Sequence, residues 1–253
     1  MPLNPVNQPD DTPRLVQNAL SGDKSSYGRL MHDYMPLACG LAYARASDPA
    51  AARQKALDFF AKAHPNLWQA SRDNFARWVY VQFSHTESDE QPSDAAATGN
   101  PRETQAVYLF TGDIDRTSRI QKLKVEQVRR NIAGIAPDDE GGKPCRKRNL
   151  LPLMLNEDIP QRTRELMGIH LAGCEQCRRT LDTMRVKLDR LKHDLHATLP
   201  DAQAIDEVVA ALPDDPPKPP AQPLPVLMIS YAWLFTALLL LVAFLLYLLN
   251  GPK

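Results

Sequence analysis

The chain has 253 residues, with 30 lysines and arginines against 30 aspartates and glutamates, a formal net charge of zero and a pI near 7.0. Such a balance excludes a global basic field for nucleic acid, so any contact of that kind has to be local. Hydrophobic residues make up 43% of the sequence, but a large share of them crowds into its last stretch, which leaves the rest enough for one or two modest domains.

Residues 1–13 carry prolines and the pair Asp10 and Asp11 and read as a flexible start. No apolar run follows a positive amino terminus there, so no secretory signal is expected and the body of the chain is expected in the cytoplasm. Leu15, Val16, Ala19 and Leu20 form a short helix face that stops at Gly22, and Asp23 is placed to cap the next helix. In that helix Tyr27, Leu30, Met31, Tyr34, Leu37, Ala38 and Leu41 recur at three and four, a core-facing stripe. Pro36 predicts a kink or a break within it, and Cys39 falls on its apolar face as a core thiol. A third helix from about Ala50 presents Ala56, Phe59, Phe60 and Ala63, and a fourth presents Phe75, Trp78, Val79 and Phe83. Together they predict a helical bundle over residues 14–86.

The strings LVQNALSGDKSSYGRLMHDYMPLACGLAYARASDPAAARQKALDFFAKAH and FARWVYVQF resemble region 2 of the extracytoplasmic-function sigma factors. Gly22 with Asp23, Asp48 with Pro49, and Phe75, Trp78 and Tyr80 fall on that family's positions. The resemblance implies a domain that grips RNA polymerase. Where the family has an acidic, glutamine-bearing clamp helix, however, this chain has Arg53, Gln54 and Leu57, and only Asp58 and Phe60 keep register.

Residues 87–104, acidic and small with two prolines and a glycine, read as a linker. Residues 105–140 read as a basic helical connector. Within it AVYLF at 106–110 fits helix or strand equally by periodicity. Residues 114–132 carry Arg116, Arg119, Lys122, Lys124, Arg129 and Arg130 around Ile120, Leu123, Val128 and Ile132, and are read as one amphipathic helix with a solvated basic face, in preference to a grip on nucleic acid or an acidic partner. No helix-turn-helix is expected between this helix and Cys145, and direct nucleic-acid binding is not expected.

Residues 141–197 hold three of the four cysteines. His170 and Cys174 are four apart and share a helix face. Cys177 follows after two residues and Cys145 can close the shell from upstream. Cys145, His170, Cys174 and Cys177 make a Cys3His set, the composition of a closed tetrahedral structural zinc site with no open position for a catalytic water. The spacing Cys145, twenty-four residues, His170, Cys174, Cys177, with the string HLAGCEQCRRTL and Arg178 and Arg179 behind it, resembles the zinc-binding anti-sigma factors of bacteria. That resemblance implies a Zn2+-bound domain that sequesters a sigma factor, with a membrane anchor behind it.

Leu181, Met184, Leu188, Leu191 and Leu195 repeat as a short heptad seam, expected to pack on the rest of the zinc domain or on a partner helix. Residues 213–225, mostly proline, predict a polyproline spacer. It leads to VLMISYAWLFTALLLLVAFLLYLL at 226–249, free of charge and about 36 Å long as a helix, enough to cross a bilayer core of about 30 Å. Tyr231, Trp233 and Tyr247 suit the interfaces.

The expected fold is therefore all-α: an amino-terminal sigma region 2-like bundle, a small helical zinc-binding domain and a single carboxy-terminal transmembrane helix. No nucleophile with its base, carboxylate pair or phosphate-cradling glycine loop is visible, so no enzymatic activity is expected. The expected function is that of a bacterial regulator of transcription initiation, anchored in the inner membrane and binding a sigma factor. Core RNA polymerase is a second candidate partner. The alternatives are a membrane-tethered, self-inhibited sigma-like factor and a membrane scaffold. The sigma-like domain is further expected to pack against the chain's own zinc domain.

Overall fold

The computed structural model describes residues 11–70, 74–86, 100–134, 145–155, 159–219 and Leu238, and among these every regular element is a helix. Residues 1–217 form one compact unit and 218–253 a second.

The amino-terminal bundle comprises α1 (Thr12–Leu20), α2 (Lys24–Ala46), α3 (Pro49–Ala63), a 3₁₀ segment (His64–Gln69) and α4 (Phe75–Thr86). Its helix starts follow local chemistry. The Asp23 carboxylate accepts from the Ser25 amide at 3.0 Å, and that of Asp48 accepts from the Ala51 amide at 2.7 Å with Pro49 opening the helix. Gly22, at φ 96°, supplies the left-handed turn between α1 and α2. The stripe on α2 is the centre of the core, with Tyr27, Leu30, Met31, Tyr34, Leu37, Ala38 and Leu41 all buried. Tyr27 donates its hydroxyl to the Phe60 carbonyl at 2.7 Å, and the Tyr34 ring meets Phe75 edge-on at 4.8 Å.

Pro36 does not break α2, which runs through it from Lys24 to Ala46. The proline removes one backbone hydrogen bond. Burial of Tyr34, Met35, Leu37 and Ala38 on either side, each side chain stabilising by roughly 1–3 kcal/mol, outweighs that loss.

Helix α5 (Pro101–Thr111) starts inside the stretch read as linker, where Asn100 caps the Arg102 amide at 3.0 Å. The ambiguous AVYLF run is its core: Ala106, Val107, Tyr108 and Phe110 are buried. The single basic helix expected over 114–132 is two, α6 (Ile114–Gln121) and α7 (Val125–Ala133). Lys122 ends α6 in the left-handed region at φ 55°, and Ser118 Oγ donates to the Leu123 carbonyl at 2.7 Å across the turn. A lysine in that conformation carries no glycine or proline signal.

A 3₁₀ segment (Arg148–Leu155), α8 (Gln161–Gly173) and α9 (Glu175–Thr198) follow. The seam of α9 is used inside the molecule. Leu181 and Met184 pack with Leu151 and Met167, Leu188 packs with Tyr108, Val128 and Ile132, and Leu195 reaches Gly40 of α2. Helix α10 (Ala202–Ala211), which the sequence reading did not anticipate, lies on α2 and α3, burying Ile205 and Leu212. Beyond it Lys24 Nζ binds the Leu212 carbonyl and the Asp214 carboxylate, each at 2.6 Å, and Pro216 lies against Gly22.

The expected membrane-crossing helix at 226–249 lies outside the described residues apart from Leu238, as do most of the linker at 87–104 and the spacer beyond Pro219. Among the described residues no helix is long and apolar enough to cross a membrane.

Candidate metal centre

Helix α8 stops at Gly173, and Cys174, extended at φ −122° and ψ 95°, is both its last cap and the first cap of α9. That break is what builds the site. His170 sits in the last turn of α8 and Cys177 in the first turn of α9, so the bend between the helices brings their side chains together. Cys145 arrives from the turn that leads into the 3₁₀ segment, where its carbonyl accepts from the Arg148 amide at 2.9 Å.

The ligand atoms of Cys145, His170, Cys174 and Cys177 all lie within 4.8 Å of one another. Cys145 Sγ is 3.4 Å from His170 Nε2. A tetrahedral ion with metal–sulfur bonds of about 2.3 Å and metal–nitrogen bonds of about 2.0 Å needs ligand separations of roughly 3.5–3.8 Å. The group therefore fits a four-coordinate ion with small adjustments of side-chain torsion. Leu151, Met167, Leu181 and Met184 form an apolar backing behind the sulfurs, while His170 and Cys174 stay half-exposed. All four residues named from sequence come together, and no other cluster of this kind occurs among the described residues. His193 and His196 lie on the same α9 but more than four turns further along.

The thiols do not titrate alike. Burial, followed by the neighbouring Cys174 and Cys145 sulfurs, pushes the Cys177 thiol up. The amide of Cys177, then its thiol, pulls the Cys174 thiol down, as is usual for a sulfur at a helix amino terminus. Three adjacent sulfurs are costly as thiolates on their own, and a divalent cation reverses that cost. Cys39, by contrast, is fully buried in α2, is pushed up to about 12 by burial, and lies 3.5 Å from the Thr198 carbonyl as an isolated core thiol.

Away from the metal ligands, the far half of α9 lies on α2 and α3. Arg53 donates to the Ala197 carbonyl at 2.7 Å, at the end of α9 where the helix leaves its own carbonyls without intrahelical partners. Tyr43 donates to Asp194 at 3.0 Å. The strap from Leu199 to Pro217 could have been found in the sequence from the Asp201 cap and the spacing of Ile205, Val208, Val209 and Leu212.

No known protein family, curated protein or solved structure matches this chain. What stands is the class defined by its architecture: an all-helical chain with a Cys3His group that could hold a metal ion, at the head of a long helix that ends on the amino-terminal bundle.

Proposed function

We propose that this chain is a membrane-anchored regulator of transcription initiation whose zinc-binding segment holds its own sigma-like bundle in check. The observation that carries the reading is the contact of α9 with α2 and α3, with Arg53 bound to Ala197 and Leu195 seated against Gly40. In this reading the metal is Zn2+, since Cys3His is the donor set of closed structural zinc sites. Cys145, His170, Cys174 and Cys177 hold it, and the ion's role is to fix the angle between α8 and α9 from which the clasp projects. Because clasp and bundle share one chain, their encounter is intramolecular, with an effective concentration near millimolar, so even a weak contact stays closed. The apolar run at 226–249 supplies the membrane anchor.

A second reading, sequestration of a separate sigma factor, is supported by α8, which exposes Leu166 and Ile169 at 55% and 75% on one face. One experiment separates the two. The purified full chain, and a variant with Arg53→Glu and Leu195→Asp to open the clasp, are tested for binding to core RNA polymerase and to a panel of sigma factors. Polymerase binding at least tenfold tighter for the opened variant supports control in cis. Capture of a sigma factor by the intact chain, lost on Leu166→Asp with Ile169→Asp, supports control in trans. If the opened variant ignores polymerase and the intact chain ignores every sigma factor, the proposal fails.

A further inference from the structure

The basic stretch read from sequence as one solvated helix has a different shape in the folded chain. Helices α6 and α7, of eight and nine residues, are joined by the turn Lys122, Leu123 and Lys124, and α5 packs against both from behind. Two short helices joined by a turn of this length on a third supporting helix form the arrangement with which many proteins enter the major groove of DNA.

The inner side of the pair is filled. Ile114, Val128 and Ile132 are buried with Tyr108 of α5 and Leu188 of α9. The outer side carries Arg119, Lys122, Lys124, Glu126 and Arg130, all exposed. Residues 114–134 hold six cations, Arg116, Arg119, Lys122, Lys124, Arg129 and Arg130, against Asp115 and Glu126 alone, in a chain with no net charge.

What marks this face is the concentration of positive charge on a short element. Some exposed cations elsewhere are matched, Arg14 and Arg29 to Asp11, Arg178 and Arg179 to Glu175, and Arg185 to Asp182. None of the six on α6 and α7 makes an ion pair with any described residue. Both ends of α7 are also set by the fold rather than frayed. The Gln127 side chain folds back to accept from the Lys124 amide at 3.0 Å, and Gly134 closes the other end at φ 63°. The outward side chains are thus carried on a pre-shaped element, which lowers the ordering cost of binding.

We infer that α6 and α7 form a helix-turn-helix that binds duplex DNA, with α7 presented to the major groove and Arg119, Lys122, Lys124 and Arg130 on the phosphates flanking it. Phosphate contacts of this kind supply most of the sequence-independent affinity, and that affinity falls with salt by about 0.9 logarithmic units per phosphate neutralised. The A-form groove of duplex RNA is too deep and narrow to admit the helix. The inference does not depend on whether the bundle meets polymerase.

The test uses the full chain and a labelled mixed-sequence DNA duplex of about 30 base pairs, followed by fluorescence anisotropy from low to physiological salt. Wild type is expected to bind with a dissociation constant in the range of roughly 1–100 µM, as non-specific DNA binders do. The triple variant Lys122→Gln, Lys124→Gln and Arg130→Gln is expected to bind at least tenfold more weakly, with the slope of log affinity against log salt reduced by about 3. Arg162→Gln on α8 serves as a control and should change neither quantity. All three substituted residues are exposed, so an unchanged thermal melt will show that the variant is folded. Absence of DNA binding by wild type, an unchanged slope in the folded triple variant, or equal affinity for duplex RNA would each overturn the inference.

Discussion

Replacing Leu195 with alanine tests whether the far half of α9 belongs to the amino-terminal core or merely rests on it. Leu195 is 4% exposed and sits among Pro36, Ala106, Leu109, Phe110 and Leu199, with its Cδ2 3.7 Å from where a side chain on Gly40 would begin. Its neighbours across the interface, Gly40 and Ala106, are too small and too tightly opposed to move into the space left behind. A Cβ on Gly40 would already meet Ala106 at 3.1 Å. Leucine-to-alanine changes in cores cost about 2–5 kcal/mol, the upper part where the site cannot collapse, so about 3 kcal/mol is expected here. In a cooperative unit of this size that lowers the melting temperature by roughly 6–12 °C. If α9 instead opens by itself, the same free energy appears as an increase of roughly 150-fold in its local opening. Calorimetry and hydrogen exchange on the full chain read both outcomes. A loss below about 1 kcal/mol with unchanged exchange at residues 190–198 and along α2 would refute the packing argument.

Metal analysis of the reduced protein should find one ion per chain, and Cys177→Ser should remove it; less than a tenth of an equivalent in wild type would sink the assignment. His64 is buried with its Nδ1 lacking a partner and its ring 4.8 Å from Tyr27, and burial, then the nearby Lys24, lowers its pKa from 6.5. The unfolded chain therefore binds this proton more readily. The bundle should lose stability as the pH falls from about 7 to 5.5, and a pH-independent melting temperature there, or a slope that survives His64→Phe, would contradict this. Arg45 and Glu103 form a largely buried pair at 2.7 Å with the guanidinium over Phe83. Glu103→Ala should cost about 3 kcal/mol in chemical unfolding, and a loss under 1 kcal/mol would show that the arginine finds water instead. A Cβ on Gly28 would lie 3.3 Å from Val209 of α10. Gly28→Leu should consequently lift the strap and speed proteolysis between residues 199 and 217, an outcome excluded if the digestion pattern matches wild type.

The parts legible from sequence rest on short-range chemistry. Asp23 and Asp48 cap helices because a carboxylate before a free amide turn needs nothing beyond its own neighbours. The stripe on α2 was readable because its period is intrinsic to the helix. His170, Cys174 and Cys177 lie within eight residues, so one helix end suffices to converge them, and Cys145 needed only one further short segment. Long-range energetics escaped the same reading. Pro36 is tolerated because α2 is enclosed by α1, α3, α4 and α5, a fact about neighbours far away in the chain. The break at Lys122 depends on Ile120 and Val128 each finding its own place in the core, which tips a lysine into a left-handed turn that its identity disfavours.

By itself, then, the amino-acid sequence determined the helical class, the caps and core stripe of the bundle, and the four metal-ligand candidates, because each follows from residue type and spacing along a few turns. Packing of the amino-terminal bundle on the segment at 141–197 was expected from the sequence, but only the tertiary structure decided that the far half of α9 and then α10 lie on α2 and α3, that Arg53 meets Ala197, and that the basic stretch divides into two helices. Those outcomes depend on which apolar faces find one another across well over a hundred residues. That choice is set by the fit of Leu195 to Gly40 and of Val209 to Gly28, surfaces that exist only once the helices have packed.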